Sequence, residues 1–188
     1  MALVHTPENF ENTPIPDFNL LATDLKYYNL NNFKNNNPIL IMFICNHCPY
    51  VKAIEDRLIQ LGHDLKNEDI NVVAICSNDE MNYPDDSFEK LKSRSEEKKY
   101  PFVYLHDKDQ TVAKLFGAVC TPDFFLYDKN LKLKYRGRLD DSWKDESLVT
   151  KRELFSAAMD LKNTNEISFK QTPSMGCSIK WVGNADRM

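Results

Sequence analysis

No run of apolar residues in this chain reaches the roughly 18–20 that a membrane-crossing helix needs. A basic excess is missing as well. The chain has 24 Lys and Arg against 28 Asp and Glu, a net charge of −4, so no nucleic-acid partner is expected. The opening MALVHTPENF has neither a basic nor an apolar signal region. The expected setting is therefore cytoplasmic. Internal repeats and linker-like stretches are also lacking. Hydrophobic residues make up 42% and charged residues 28%, which excludes a disordered chain. A length of 188 residues fits a single domain with a substantial core. Five cysteines, at positions 45, 48, 76, 120 and 177, are too sparse for a disulfide-stapled mini-domain. Thiols at this density are inert, metal-binding or catalytic.

What is present is a pattern of alternating element types. Residues 1–17 hold Pro7, Pro14 and Pro16 and read as an extended arm. Two short strand candidates follow, at 18–21 and 26–30, and then an Asn-rich turn. Residues 39–44 (ILIMFI) form a continuous apolar run, as a strand buried on both faces would. From Pro49 the spacing changes: Val51, Ile54, Leu58, Leu61 and Leu65 make one stripe of an amphipathic helix. Further strands are predicted at 72–76, 102–105 and 124–127, and helices at 84–99, 111–116 and around Leu154, Ala158 and Leu161. Leu131, Leu133 and Tyr135 alternate with Lys132, Lys134 and Arg136, predicting a strand with one wet face. Residues 164–188 read as a polar tail containing MGCSIKW. The order predicts an α/β sandwich: a central mixed β-sheet flanked by helices, an N-terminal β-hairpin extension and a C-terminal tail.

The chemistry concentrates at Cys45-Asn46-His47-Cys48, between the apolar strand and the amphipathic helix. The spacing allows a redox dithiol, half of a metal site, or two packed core thiols. No second CxxC or HxxxH follows, and structural zinc takes four ligands; no metal and no organic cofactor are expected. The free N–H groups of a helix N-terminus favour an anion, and the thiolate is the reactive form of cysteine. The expected arrangement is a Cys45 with lowered pKa, attacking from an exposed position. Cys48 then lies one turn inward as the resolving thiol, and His47 donates a hydrogen bond or charge to the Cys45 sulfur.

CNHC, the later Thr121-Pro122, IPDFNL near the front and YRGRLDD at 135–141 together resemble the thioredoxin superfamily, in its AhpC/TSA and TlpA-like branch. CNHCPYV, SNDEMNYPDDS and MGCSIKW resemble a peroxiredoxin-like subgroup. The resemblance implies a thioredoxin-like sandwich and a cis Pro122 packed against the dithiol. It also implies that the Thr121 backbone is free to pair with an extended substrate segment. Three positions depart from the pattern. Ile44 stands where tryptophan is usual. Ile39 stands where a buried acid is usual, so the base serving the pair is not visible. Asn46-His47 replaces the proline-containing pair between the thiols.

The leading expectation is a thiol–disulfide oxidoreductase with Cys45, Cys48 and His47 catalytic and Thr121 and Pro122 binding substrate. Its partners would be a disulfide- or thiol-bearing protein or small thiol, and a thiol reductant. A peroxidase alternative uses Cys45 with Cys48, Cys120 or Cys177 resolving and Arg138 in the peroxidase arginine's place. PxxxTxxC then aligns Pro38 correctly but puts Met42, with no hydroxyl, at the threonine. A redox-inert peptide-binding module is the third reading. Cys76 reads as a core residue, and His5, His63 and His106 as surface residues. Asn78-Asp79-Glu80 follows a strand end, where loops contribute to sites or simply cap.

Overall fold

A computed structural model describes residues 3–7 and 12–183. The remaining parts of the expected arm and tail (1–2, 8–11 and 184–188) lie outside the described residues. The elements run β1 (Leu3–His5), β2 (Asn19–Ala22), β3 (Tyr27–Asn29), β4 (Ile39–Phe43), α1 (Pro49–Asn67), β5 (Asn71–Cys76), α2 (Phe88–Lys98) and β6 (Val103–His106). They continue as α3 (Thr111–Phe116), β7 (Cys120–Thr121), β8 (Asp123–Tyr127), β9 (Leu133–Tyr135), α4 (Glu153–Asn163) and β10 (Met175–Ser178). Seven strands form the central sheet in the order β3-β2-β6-β5-β4-β8-β9. The β4–β5 and β5–β6 pairs are parallel and the others antiparallel, so the sheet is mixed as expected.

Strand β4 is buried at every residue because both faces of the sheet are covered. Its alternation divides two cores. Leu40 and Met42 meet the α1 stripe of Val51, Ile54, Leu58, Leu61 and Leu65, together with Leu154, Ala158 and Leu161 of α4. Ile39, Ile41 and Phe43 pack on the other side with Val112, Ala113 and Phe116 of α3 and Phe18. Each fully buried aliphatic side chain of this kind contributes about 1.5–3 kcal/mol. Among the described residues, no helix is long and apolar enough to cross a membrane.

Three expectations change. The arm and tail are not merely polar extensions, since β1, β10 and β7 form a separate three-stranded antiparallel sheet. Strands of two to four residues are too short to print a period on the sequence. His106 is buried beside Glu80 at 3.7 Å and the Phe88 ring, not on the surface. Arg136, placed by alternation on the wet face, turns inward.

Burial of that arginine is met by pairing. Its guanidinium donates to both Asp123 carboxylate oxygens at 3.2 and 2.9 Å and to the Gly117 carbonyl at 2.7 Å, and lies over the Phe125 ring. Asp123 also accepts from the Val119 N–H at 3.2 Å. The pair therefore ties the 117–123 loop to β9 and fixes the backbone next to Pro122. Removing one partner of a buried ion pair leaves an uncompensated charge, which costs about 3–5 kcal/mol. Asp123→Ala should lower unfolding stability by that amount in urea titration. Converting the pair together to apolar residues of similar volume should restore most of it.

Candidate functional site

Strand β4 delivers Cys45 to the N-terminus of α1, and the Ile44 N–H still bonds the Ile75 carbonyl at 3.0 Å. The helix begins at Pro49, so Cys48 is its N-cap. The two residues between the thiols are held by a side chain that sequence reasoning missed. Asp86, in the turn before α2, is fully buried. One of its oxygens accepts the Asn46 and His47 N–H groups at 2.8 and 3.1 Å. The other meets His47 Nδ1 at 2.5 Å and the Asn78 amide at 2.9 Å. The segment SNDEMNYPDDS marks this region, but an Asp-Asp pair after proline reads as exposed, because carboxylates rarely enter a core.

Among the described residues, His47 makes no hydrogen bond to the Cys45 sulfur, the first of its two expected roles. Its Nδ1 is engaged by Asp86 and its ring stacks on Tyr83 with centroids 4.7 Å apart, while Nε2 is buried without a hydrogen-bond partner among the described residues. A ring nitrogen, the Cys45 sulfur and an Asp86 oxygen lie within 4.8 Å of one another. These are three possible metal donors, one short of a structural zinc set. Both Asp86 oxygens already accept hydrogen bonds, which leaves the carboxylate occupied in ordering the loop.

The thiol asymmetry also differs from expectation. Neither sulfur is exposed, with Cys45 at 2% and Cys48 at 0%. The charge favours Cys48, whose pKa is pulled down to about 4, chiefly by the hydrogen bond from the Cys45 thiol, against the opposing effect of burial. Cys177 and the Thr121 hydroxyl also donate to it, and the Val51 N–H at the third helical position adds a smaller part without a full capping hydrogen bond. Cys45 is pushed well up by burial, by donating to Cys48 and by the negative Asp86. The Thr121 carbonyl, 3.1 Å from the Cys48 sulfur, opposes the ionised form because it can accept only from a neutral thiol. The net direction is down for Cys48 and up for Cys45. A cysteine thus stands where Ser, Thr or Asp ordinarily caps a helix.

The Thr121–Pro122 peptide is cis. The Thr121 hydroxyl lies 3.3 Å from the Cys45 sulfur, so Cys45, Cys48 and Thr121 form one cluster. The Thr121 backbone is not free, however: β10 pairs with it, placing Cys177 directly opposite. Adjacent strand residues face opposite ways, and Cys120 turns from the pair to bond the Pro122 carbonyl at 3.5 Å. Burial pushes the Cys120 thiol far up. Arg138 is held by Glu153 at 2.7 Å and lines a cavity of about 420 Å³ with Tyr50, Pro122, Leu139, Trp143 and Met175.

Thiolate ultraviolet absorbance should persist in the reduced chain down to pH about 4 and disappear below. Cys48→Ala should abolish the low-pH signal, whereas Cys45→Ala should move its midpoint upward. The reverse pattern would assign the charge to Cys45.

Comparison with known proteins fits this architecture. The AhpC/TSA family profile matches residues 12–136. An uncharacterized conserved protein from Geobacillus kaustophilus is 40% identical, with a TM-score of 0.93 over 98% of this chain and 99% of that one. The thioredoxin domain of a thiol-disulfide oxidoreductase from Bacteroides vulgatus shares 17% identity and a TM-score of 0.57 over 69% and 89% of the two chains. Peroxidoxin BcpB from Mycobacterium tuberculosis shares 18% and 0.55 over 66% and 82%. The last two likenesses concern the fold. No curated protein matches the chain. With its thioredoxin-like sheet and the family match across most of its length, the chain belongs to the AhpC/TSA family.

Proposed function

We propose that this chain is a single-domain thiol–disulfide oxidoreductase whose redox pair is Cys45 and Cys48. The observation that carries the reading is that both sulfurs converge on Thr121 beside the cis Pro122, Cys45 3.3 Å from its hydroxyl and Cys48 3.1 Å from its carbonyl; the electrostatics of the pair push the Cys45 thiol up and the Cys48 thiol down. Cys48 then supplies the base that Ile39 does not. As Cys45 attacks a substrate disulfide, its proton passes to Cys48, the substrate S–S bond breaks and one substrate sulfur leaves as a thiolate. Cys48 next attacks the Cys45 sulfur of the mixed disulfide. The second substrate sulfur leaves and takes the proton, and a Cys45–Cys48 disulfide remains. A thiol reductant, in a reducing compartment such as the cytoplasm, returns the pair to the dithiol.

Cys45 is the better attacker because half-buried Asn46 and His47 lie beside it, while Cys48 is enclosed by Thr121 and Cys177. His47 acts as a positioning residue through Asp86. The groove at Pro122 receives a disulfide- or thiol-bearing protein or small thiol. This exchange requires no metal or organic cofactor. The Bacteroides neighbour, named as a thiol-disulfide oxidoreductase, supports the reading at the level of fold.

The second reading, a thiol peroxidase, draws on the family match and the peroxidoxin neighbour. Met42 at the threonine position and the Arg138–Glu153 pair count against it. Peroxide oxidation of Cys45 to sulfenic acid no faster than that of free cysteine would exclude it.

Cys48→Ser incubated with glutathione disulfide should retain glutathione on Cys45, while the wild type should resolve it. Absence of any adduct would remove the oxidoreductase reading, and full activity in Cys45→Ser would favour the redox-inert binding module. Because a stabilised thiolate favours the dithiol, the Cys45–Cys48 couple should equilibrate at a potential more oxidising than thioredoxin's, about −270 mV. Titration against a glutathione series measures it.

A further inference from the structure

We propose that Cys177 is a third redox thiol of this site, held by β10 where an incoming substrate strand would lie, and that the Cys45–Cys48 disulfide passes within the chain to Cys48–Cys177. The proposal rests on the oxidoreductase reading above. Three observations place the strand. First, β10 pairs antiparallel with β7, with Cys177 opposite Thr121 and Ser178 opposite Cys120, so the edge beside Pro122 is occupied by the chain itself. Second, directly opposed residues of an antiparallel pair share a face. The Cys177 side chain therefore lies on the Thr121 side, buried to 1% exposure in the core cluster that also holds Cys45 and Cys48, where it lowers the Cys48 pKa.

Third, the approach of β10 depends on Gly176. A Cβ there would stand 2.0 Å from the Thr121 carbonyl oxygen and 2.6 Å from its carbon. Backbone atoms cannot yield to that contact, so only glycine permits the strand to seat. The surroundings hold it in place. The Ser174 hydroxyl donates to the Pro122 carbonyl at 3.1 Å, and the Ile179 N–H to the Val119 carbonyl at 3.1 Å. The Lys180 N–H donates to Asn78, which also bonds Asp86. The strand is thus tied to the same loop that orders Asn46 and His47.

The exchange balances without an outside oxidant. Burial pushes the Cys177 thiol up to about 12, so it attacks the Cys48 sulfur of the Cys45–Cys48 disulfide as its proton moves to the departing Cys45 sulfur. The Cys48–Cys177 bond forms, the Cys45–Cys48 bond breaks, and Cys45 leaves with the proton Cys177 gave up. The product staples β10 across the site and returns Cys45 to the reduced form. A thiol reductant that cleaves Cys48–Cys177 returns β10 to non-covalent pairing with Thr121, from which a substrate strand can displace it.

The test oxidises the full chain in graded glutathione buffers, quenches with acid, alkylates and maps the disulfides. The wild type should yield both Cys45–Cys48 and Cys48–Cys177, and Cys45→Ser only the latter. Cys45–Cys48 in the wild type with no Cys48–Cys177 in either protein would overturn this proposal alone. No disulfide in either protein would overturn the oxidoreductase reading with it. Gly176→Ala, checked for folding by circular dichroism, should retain Cys45–Cys48, lose Cys48–Cys177 and react several-fold faster with an aromatic disulfide. An unchanged rate and an unchanged disulfide map in that variant would refute the seating of β10 as the barrier. Cys177→Ser gives an independent check that keeps the strand in place: its oxidised form should contain Cys45–Cys48 alone.

Discussion

A single negative charge enclosed at the mouth of α1 constrains the rest of this site. Cys48 lies at the helix N-cap, and its sulfur collects donors from Cys45, Cys177, Thr121 and the Val51 N–H. An ion inside a core is costly unless it is paired or hydrogen-bonded. Here donors converge from four separate places in the sequence, and each is positioned by a different element. Strand β4 brings Cys45, β7 brings Thr121, β10 brings Cys177 and the first turn of α1 brings Val51. The fold is thus read most directly as the set of supports that keeps those donors around one sulfur.

Asp86 performs the complementary task. It sits beside the dithiol as a second buried anion and repels charge on Cys45, which is one reason the proton rests there. At the same time it binds the two backbone N–H groups between the thiols, which ties the CNHC loop to the turn before α2. The arrangement separates storage of the charge from delivery of the attack. In the proposed mechanism Cys48 holds the charge within the core, and Cys45 receives it when its proton passes to Cys48.

The parts of this that the sequence discloses are those with a period. Five apolar residues on one face of α1, and an unbroken apolar β4, predict both elements and their contact, because burial on one stripe or on two faces writes itself into composition. CNHC and Thr121-Pro122 likewise disclose which chain positions meet, through resemblance more than through physics. Arg136 is a residue whose place the sequence pattern does not disclose. Its alternation with Tyr135 is real, but the face it occupies is decided by Asp123, whose carboxylate makes an inward guanidinium tolerable. Asp86 and His106 stay hidden for the same reason, since a buried polar group is intelligible only once its partners are known. Strand β10 stays hidden for another: four residues joined by main-chain bonds leave no pattern, and its one strict requirement, a glycine at 176, looks from the sequence like a loop.

The same geometry bears on why a chain of this family would place its first cysteine so deep. An exposed thiolate is open to peroxides and to every passing disulfide, and oxidation follows ionisation and access together. Cys45 has neither in the resting structure: it is buried, and burial holds its thiol well above the usual cysteine range. In the proposed mechanism, reaction requires two linked events, displacement of β10 from the Thr121 edge and transfer of the Cys45 proton to Cys48. A partner that offers an extended backbone can accomplish the first by replacing the β10 hydrogen bonds with its own. A small oxidant has no backbone with which to compete for Thr121. Selectivity in such a site would reside in the edge of a two-residue strand, and the thiols would report only on what had already been admitted.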